Sequence, residues 1–291
     1  MKVNGYVFLN GRIVEASRAT VSVYDRGLLY GDGLFETMRA YKGVTFAIEE
    51  HFHRLRTSAD ILGLPVPNLD WPGTIAALLE RNDLARQDAW VRLTITRGPA
   101  EPRVLPPDLP KPTTIVMVRP LDRDIADHQK RGVKIALLPF SRHGFIPEHK
   151  SLNYLPAVVG KVLASYHGAY EGLFVRSDHV LTEGTTTSVF VVRDGALFTS
   201  PEGGILPGVT RAMVIELALK NGMRVVERDI TTTDLRLADE AFLTSSMIEI
   251  VPIVHVDEAP LGPGQPGTQT MKLQKLYQAA VKSYVKGARK P

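Results

Sequence analysis

The sequence predicts an α+β fold that mixes hairpins and helices, rather than a doubly wound parallel sheet. Three observations support this prediction. The chain opens with short strands at 7–9 and 12–14 around Asn10-Gly11, a dipeptide that favours a tight hairpin turn. Apolar residues recur at helical spacing over 48–62. Several short strands separated by turn residues follow one another between 172 and 199.

The elements of the first half can be justified in chain order. Residues 34–41 alternate as a strand does, so Phe35, Thr37 and Arg39 share one face. The proline-rich segment 99–112 cannot pair inside a sheet and is predicted to be an ordered loop. Periodicity predicts further helices at 48–62 and 75–82 and further strands at 90–97 and 115–118.

The second half opens with a predicted strand at 133–140, followed by the lysine-bearing segment HKSLNYL at 149–155. A polar, charged stretch separates the two halves. We therefore expect a small N-terminal α/β domain at 1–119, a linker at 120–132 and a larger C-terminal domain at 133–291 that carries Lys150. Helices are expected at 156–166, 210–221, 233–238 and 268–285, and strands at 172–176, 180–183, 188–192, 196–199, 224–227 and 240–244.

Composition narrows the class of protein. The chain has 291 residues, 44% of them hydrophobic, which is ample for a core. No apolar run reaches the length of a membrane span, so no membrane partner is expected. The net charge of +4 comes from interspersed charges without a basic stripe, so no nucleic-acid partner is expected either. The chain has no cysteine, which excludes disulfides and thiolate chemistry and fits a cytoplasmic enzyme.

Several residue types could carry chemistry. Lys150 follows an apolar strand and precedes apolar residues, so its amine could lie in a pocket, although most lysines are solvated. Glu183 ends a predicted strand, where a carboxylate either faces water or binds a cation. Thr210 lies where a helix begins after Gly208, and free N–H groups there bind phosphate or simply receive an N-cap. Arg54 lies one step off the apolar stripe of its helix.

Other sequence signals are weaker. Ser246 lies in a run of hydroxyl residues after a predicted strand, which is either a polar turn or a set of ligand hydroxyls. His51 and His53 are two apart on a helix and point to nearly opposite sides, so no shared metal ion is expected. Gly31-Asp32-Gly33 lacks the third glycine of a dinucleotide fingerprint, since Glu36 occupies that position.

The chain resembles the class IV, or fold-type IV, pyridoxal-phosphate enzymes. This family includes branched-chain aminotransferases, D-amino-acid aminotransferases and aminodeoxychorismate lyases. The resemblance runs almost end to end and its blocks come in the family's order. They are DRGLLYGDGLFETMR at 25–39, EEHFHRL at 49–55, TRG at 96–98, KSLNYL at 150–155, TEGTTTSVF at 182–190, LPGVTR at 206–211 and ADEAFLTSSMIEIVPI at 238–253.

The resemblance implies roles for the candidate residues. It implies two α/β domains with the cofactor site between them. Lys150 would be the catalytic lysine that forms the Schiff base with pyridoxal 5′-phosphate, and Glu183 would pair with the pyridine nitrogen. Tyr154 would bond the phenolic oxygen, and Leu206 would pack against the ring. Arg54, Val209, Thr210 and Ser246 would hold the phosphate.

The implied reaction is transamination between an α-amino acid and a 2-oxo acid, with hydrophobic or branched-chain substrates favoured. The positions that correspond to branched-chain enzymes imply a substrate set of Tyr30, Phe35, Arg39, Trp90 and Arg92. Ser246 and Met247, adjacent residues in the block at 238–253, complete this set. Trp90 replaces the tyrosine of those enzymes. D-amino-acid enzymes carry an arginine and a histidine after TRG; here Arg103 is present, but Leu105 stands where the histidine would be. TEGTTTSVF is closer to the D-specific form, so stereochemistry stays open.

Two alternatives to a transaminase remain. YGDGLFETMR at 30–39 is also compatible with an aminodeoxychorismate lyase, which releases pyruvate with the same lysine. A non-catalytic relative that only binds the cofactor would not need both Lys150 and Glu183. The family also implies a homodimer, in which a loop of the partner completes each site; the loop around Arg103 is the candidate here.

Overall fold

A computed structural model describes residues 5–289 of the chain. Contacts between Cα atoms divide these residues into two compact units. The first unit contains residues 5–121, 149–153 and 284–289, and the second contains 122–148 and 154–283. Among the described residues, no helix is long and apolar enough to cross a bilayer.

The described part of the first unit forms a six-stranded antiparallel sheet in the order β2-β1-β6-β5-β3-β4. Its strands are β1 (Tyr6–Leu9), β2 (Arg12–Glu15), β3 (Gly33–Tyr41), β4 (Val44–Thr45), β5 (Ala89–Thr96) and β6 (Thr113–Pro120). Its helices are α1 (Arg26–Tyr30), α2 (Ile48–Leu62) and α3 (Trp71–Arg81), and a single 3-10 turn covers Ala16–Arg18.

The core of this unit lies between the sheet and helices α2 and α3. Phe52 and Leu55 of α2 pack with Leu34 and Met38 of β3, and all four are buried. Burying each such side chain contributes about 2 kcal/mol. Helix α2 ends at Gly63, whose φ of 58° is a left-handed conformation that glycine adopts without strain.

Within residues 122–283, the second unit forms a ten-stranded mixed sheet in the order β12-β11-β10-β14-β15-β7-β8-β9-β13, with β16 paired to β15. Its strands are β7 (Val133–Leu138), β8 (Glu171–Val175), β9 (Val180–Gly184), β10 (Ser188–Arg193), β11 (Ala196–Thr199), β12 (Val225–Glu227), β13 (Ile230–Thr231), β14 (Glu240–Ser245), β15 (Glu249–Val256) and β16 (Ala259–Pro260). Strands β15, β7 and β8 pair in parallel, as do β11 and β12, and the other pairs are antiparallel.

Helices of the second unit pack on this sheet, with α6 against β7 and β8, α4 against β15 and α7 against β14. The helices from residue 122 onward are α4 (Ile125–Arg131), α5 (Phe145–Glu148), α6 (Leu155–Tyr166), α7 (Val209–Lys220), α8 (Thr232–Arg236) and α9 (Thr268–Ala288). Helix α8 begins with a capping box, in which Thr231 and Asp234 satisfy each other's backbone N–H groups. The last residues of α9, from Tyr284, group with the first unit.

The segment that contains Lys150 falls in a different unit from the domain in which the sequence analysis placed it. The prediction placed it in the C-terminal domain, whereas residues 149–153 group with the first unit. Backbone hydrogen bonds are the reason: Phe35 N donates to Lys150 O at 2.9 Å, and Leu152 N donates to Gly33 O at 3.0 Å. In addition, the expected linker 120–132 contains helix α4.

Candidate active site

The side chain of Lys150 lies against Phe35 in the first unit. The lysine is half-buried, and its Nζ is 4.8 Å from the centre of the Phe35 ring. The Arg92 guanidinium lies 3.7 Å from the same ring centre. Phe35 itself is buried, and β3 holds its backbone against that of Lys150. One aromatic ring therefore contacts both the predicted catalytic amine and a predicted substrate-binding arginine.

A buried carboxylate, Glu36, orients the predicted phosphate-binding residue Arg54. Glu36 lies on β3 and is 1% exposed. Its two oxygens accept from Arg54 Nε at 2.8 Å and from Arg54 Nη2 at 2.5 Å, a bidentate pairing that fixes the guanidinium plane. Burial raises the pKa of Glu36, but the Arg54 charge and hydrogen bonds from His51 and Arg54 outweigh it and lower the pKa to about 2.

His51 completes this cluster on helix α2. Its ring is buried and its Nδ1 lies 2.7 Å from a Glu36 oxygen, whereas His53 is exposed. Burial lowers the pKa of His51; Glu36 opposes the shift, and the nearby Arg54 and Lys150 charges add to it. The imidazole is therefore neutral at pH 7, and its Nδ1–H donates to Glu36.

A second buried carboxylate, Glu183, ends β9 in the second unit. Its Oε2 accepts from Leu206 N at 3.2 Å, and its Oε1 lies 3.8 Å from Arg142 Nε. The Arg142 guanidinium lies 5.2 Å from the centre of the Tyr154 ring. Burial raises the pKa of Tyr154, the charges of two nearby glutamates add to that, and Arg142 opposes it. The phenol is thus protonated at neutral pH.

Glu171 fixes the turn that follows Glu183. It is fully buried at the start of β8, and its oxygens accept from Gly172 N at 2.9 Å and from the hydroxyls of Thr185 and Thr186. The Lys161 amine lies 3.4 Å from the same carboxylate. The threonines that the sequence showed only as a polar run therefore bind a buried acid and hold the end of β9 in place.

The start of helix α7 has the properties of an anion site. Gly208 is its N-cap, and no side-chain capping bond is made there. The first N–H groups of the helix, including those of Val209 and Thr210, have no intrahelical acceptor. Thr210 is buried, while Ser246 and Met247 are half-buried just after β14.

Other predicted substrate residues lie on β3 and β5 or near them. Arg39 pairs with Asp88 at 2.7 Å and faces Trp90 across the two strands. Tyr30 is partly exposed at the end of α1, and the exposed Arg103 forms an ion pair with Glu101 at 2.8 Å. The structure thus brings Phe35, Arg92 and Lys150 together, while Arg39 is bound by an acid of its own unit.

A family profile described as "Amino-transferase class IV" matches residues 33–256. The chain belongs to the class IV aminotransferase family. It is 37% identical over 274 residues to a putative branched-chain-amino-acid aminotransferase of Methanocaldococcus jannaschii, covering 93% of this chain and 94% of that one. It is 35% identical to a D-alanine aminotransferase of Listeria innocua, with the same coverage. It is 32% identical to an aminodeoxychorismate lyase of Bacillus subtilis, covering 97% and 98% of the two chains.

Solved structures of the class IV family confirm the predicted α+β, fold-type IV architecture. The branched-chain amino acid aminotransferase of Escherichia coli superposes with a TM-score of 0.88 at 29% identity, covering 96% of this chain and 95% of that one. The enzyme of Thermobaculum terrenum in its PLP form superposes with a TM-score of 0.84 at 28% identity, covering 97% and 96%. The prediction of an enzyme of the aminotransferase class is therefore confirmed at the level of the family.

The residues present in this class IV chain fit pyridoxal phosphate in their chemistry. Lys150 supplies an amine for an aldehyde, and Glu183 is a buried acceptor suited to a protonated ring nitrogen. The uncapped start of α7 offers N–H groups to a phosphate, and the Thr244 hydroxyl is buried without a partner among the described residues.

Sequence reasoning missed the residues that hold these groups in place. Glu36, His51, Arg142 and Glu171 were not among the candidates, although each contacts one or supports its segment. One signal was available: Glu36 was the only charged residue on the face of β3 that carries Leu34 and Met38. A charge on a core-facing position requires a buried partner.

Proposed function

We propose that this chain is a pyridoxal-phosphate-dependent aminotransferase that moves an amino group between a hydrophobic or branched-chain α-amino acid and a 2-oxo acid. The proposal rests above all on Lys150, whose amine lies 4.8 Å from the Phe35 ring centre in a segment fixed to β3. Membership of the class IV family supports it. When bound, the cofactor supplies an electrophilic aldehyde carbon and a cationic ring that withdraws electrons from the substrate's α-carbon.

Lys150 acts as anchor, base and acid in this proposal. Its Nζ would anchor the cofactor by its aldehyde carbon. The same Nζ, when a substrate amine has taken its place, would act as the base that removes the proton from the substrate's α-carbon and as the acid that gives it back. The Phe35 ring under the amine restricts its motion and keeps water from that side.

The remaining residues bind and orient the cofactor. Glu183 would accept a hydrogen bond from the protonated ring nitrogen, Tyr154 would donate its phenolic hydrogen to the ring oxygen, and Leu206 would pack against the ring. Arg54, whose guanidinium plane Glu36 fixes, would bind the phosphate, as would Val209, Thr210 and Ser246. The bidentate Glu36–Arg54 pairing supports this role, because a fixed guanidinium loses less conformational entropy when it binds an anion.

The substrate-binding set that we propose consists of aromatic, thioether and arginine side chains. Phe35, Trp90 and Met247 would contact an apolar side chain. Arg92, which lies over Phe35 near Lys150, is suited to the substrate carboxylate. The full proposed set is Tyr30, Phe35, Arg39, Trp90, Arg92, Arg103, Ser246 and Met247.

We further propose a cytoplasmic homodimer. Exposed apolar side chains cluster in the first unit near the Arg103 loop, where Ala100 N bonds Tyr24 O at 3.2 Å. They are Val21, Val23, Tyr24, Leu28, Leu29, Val104, Leu105 and Leu109. Exposed apolar residues of this kind support an interface between two copies of the chain. Dilution below the dimer dissociation constant should abolish activity, and an active monomer would refute this assembly.

Single-turnover assays with D- and L-amino acids test the reaction directly. The cofactor-loaded protein should convert a hydrophobic amino acid into its 2-oxo acid, with loss of the visible band of the aldehyde form. Lys150→Ala should lose this conversion, whereas Lys134→Ala should keep it, because the side chain of Lys134 forms an ion pair with the exposed Glu258. Equal activity of Lys150→Ala and the unaltered protein would refute the proposal.

A lyase is the second candidate, because a relative covering 97% of this chain is an aminodeoxychorismate lyase. Both reactions need Lys150, but only the lyase releases pyruvate from aminodeoxychorismate. Comparing pyruvate release from that compound with 2-oxo acid formation from leucine separates the two. Faster pyruvate release would replace the transaminase assignment.

A further inference from the structure

Arg26 is a buried arginine to which neither the sequence motifs nor the proposed reaction assigns a role. It is the first residue of α1 and is 3% exposed. A buried guanidinium is costly unless its N–H groups have acceptors of suitable geometry. Its partners therefore indicate what it does.

Those partners join α1 to the middle of the loop at 99–112. Arg26 Nη1 donates to the carbonyl of Arg103 at 2.6 Å, and Nη2 donates to the carbonyl of Val104 at 2.8 Å. Its Nε donates to Asp32 at 2.7 Å. The three bonds use the planar fork of the guanidinium, which lysine cannot reproduce.

These bonds fix the loop's backbone where its side chains are exposed. Val104 is 84% exposed, and the side chain of Arg103 is 77% exposed. The two ends of the loop are held independently, since Asp25 accepts from the hydroxyls of Thr96 at 3.0 Å and Thr113 at 2.6 Å. Arg26 therefore holds the middle of the loop, whereas Asp25 holds its two ends.

The same guanidinium contacts a second proposed substrate residue. Its Cζ lies 4.9 Å from the centre of the Tyr30 ring, at the other end of α1. Tyr30 and Arg103 are far apart in sequence, yet both depend on one buried side chain for their position. Any substrate contact that they make would be set by Arg26.

We propose that Arg26 is a positioning residue for substrate specificity, which holds the backbone of Arg103 so that its exposed guanidinium is presented to the substrate carboxylate. This inference rests on the proposed function, whose substrate set includes Arg103; Arg92 is the first group for the carboxylate there, and Arg103 would be a second. Arg26 itself touches neither the substrate nor the cofactor.

Arg97 offers a matched control. It is also a buried arginine, and its Nε donates to the same Asp32 oxygen at 2.8 Å. Its Nη groups, however, donate to the carbonyls of Gly63 at 2.5 Å and Leu62 at 3.0 Å, at the end of α2. Arg97→Lys thus disturbs the same acid and a similar number of buried bonds without releasing the 103–104 carbonyls.

The experiment compares Arg26→Lys, Arg97→Lys and Arg103→Ala in the cofactor-loaded enzyme. Arg26→Lys should raise KM for the amino and oxo acids about tenfold while kcat stays within about threefold, as expected for a misplaced binding group. Hydrogen exchange should accelerate at 101–105 in Arg26→Lys and stay unchanged there in Arg97→Lys. Arg103→Ala should raise KM to a similar degree.

A double-mutant cycle decides whether Arg26 works through Arg103. In the Arg103→Ala background, Arg26→Lys should add little further to KM, because the group that it positions is gone. Additive effects, or an equal KM rise in Arg97→Lys, would overturn the proposal. If Arg103→Ala leaves KM unchanged while Lys150→Ala abolishes turnover, this inference fails but the transaminase assignment stands. If Lys150→Ala retains full turnover, the proposed function itself fails.

Discussion

Two buried carboxylates, Glu36 in the first unit and Glu183 in the second, each lie beside an arginine at different distances. Glu36 receives hydrogen bonds from Arg54 at 2.8 and 2.5 Å and one from His51 at 2.7 Å. Arg142 stands 3.8 Å from Glu183, beyond hydrogen-bond distance, while Leu206 N donates to that carboxylate at 3.2 Å. Burial is similar, so the difference lies in how each acid is paired.

The difference indicates distinct uses for the two acids. A carboxylate bound on both oxygens by one guanidinium serves to fix that guanidinium, so Glu36 acts through Arg54. Glu183 accepts the Leu206 N–H and lies 3.8 Å from Arg142, an arrangement suited to accepting a hydrogen bond from a ligand. On this account Glu36 governs stability and phosphate binding, and Glu183 governs the chemistry.

Glu183→Gln should have the largest effect on turnover. Glutamine has the same shape but no negative charge to keep a proton on the ring nitrogen. We expect kcat to fall about 10³-fold, the scale of losing one electrostatic partner in an active site. Glu258→Gln is the control, since Glu258 is exposed and forms an ion pair with Lys134. Steady-state kinetics that leave kcat of Glu183→Gln within threefold of the unaltered enzyme would contradict this role.

Glu36→Gln should lower stability and cofactor affinity and leave turnover nearly unchanged. Removing one partner of a buried ion pair leaves Arg54 and His51 poorly compensated, so the free energy of unfolding should fall by about 3 kcal/mol. Because Arg54 would lose its fixed plane, the dissociation constant of pyridoxal phosphate should rise about tenfold. At saturating cofactor, kcat should change little. Urea unfolding and cofactor titration measure both effects. A large loss of kcat with intact stability would contradict the role given to Glu36.

Acid should weaken the first unit through the same carboxylate. The folded pKa of Glu36 is about 2, below its ordinary value of 4.5. Its contribution is therefore complete above about pH 5 and is lost as the pH falls toward 2. The shift corresponds to about 3 kcal/mol. Urea unfolding between pH 6 and pH 3 should show a steeper loss in the unaltered protein than in Glu36→Gln, and parallel curves would contradict the low pKa.

Tyr154→Phe should have the smallest effect in this series. The raised pKa of Tyr154 keeps its phenol protonated at neutral pH, so the change removes one donor and no charge. Losing one neutral hydrogen bond costs about 1 kcal/mol, which predicts a roughly fivefold fall in activity. The ratio of the two activities should be constant between pH 7 and pH 9. A ratio that varies across that range would indicate an ionised phenol.

Local periodicity predicted much of the fold. Helix α2 has the expected bounds, because its apolar stripe and the following Gly63 define both face and end. Helix α3 begins at Trp71 instead of residue 75, since Asp70 accepts from Gly73 N and proline is tolerated in the first turn. Strand β15 was not expected, because it is buried on both faces, lacks alternation and contains Pro252.

Motifs predicted the candidate site residues, but no motif predicted the residues that support them. Lys150, Glu183 and Thr210 lie in blocks on which the resemblance to the family rests. Glu36 and Arg54 are 18 residues apart, and Arg26 and Arg103 are 77 apart, so these pairs form only when strand and helix, or helix and loop, pack together. No local pattern encodes such a pairing. A charge at a core-facing position indicates that a partner exists without identifying it.

Borohydride reduction of the cofactor-loaded protein, followed by peptide mapping, tests the central assignment most directly. Reduction should bleach the visible band and fix the cofactor to the peptide that contains Lys150, with Lys134 and Lys161 unlabelled. An adduct on another lysine, or no bleachable band at all, would contradict the account.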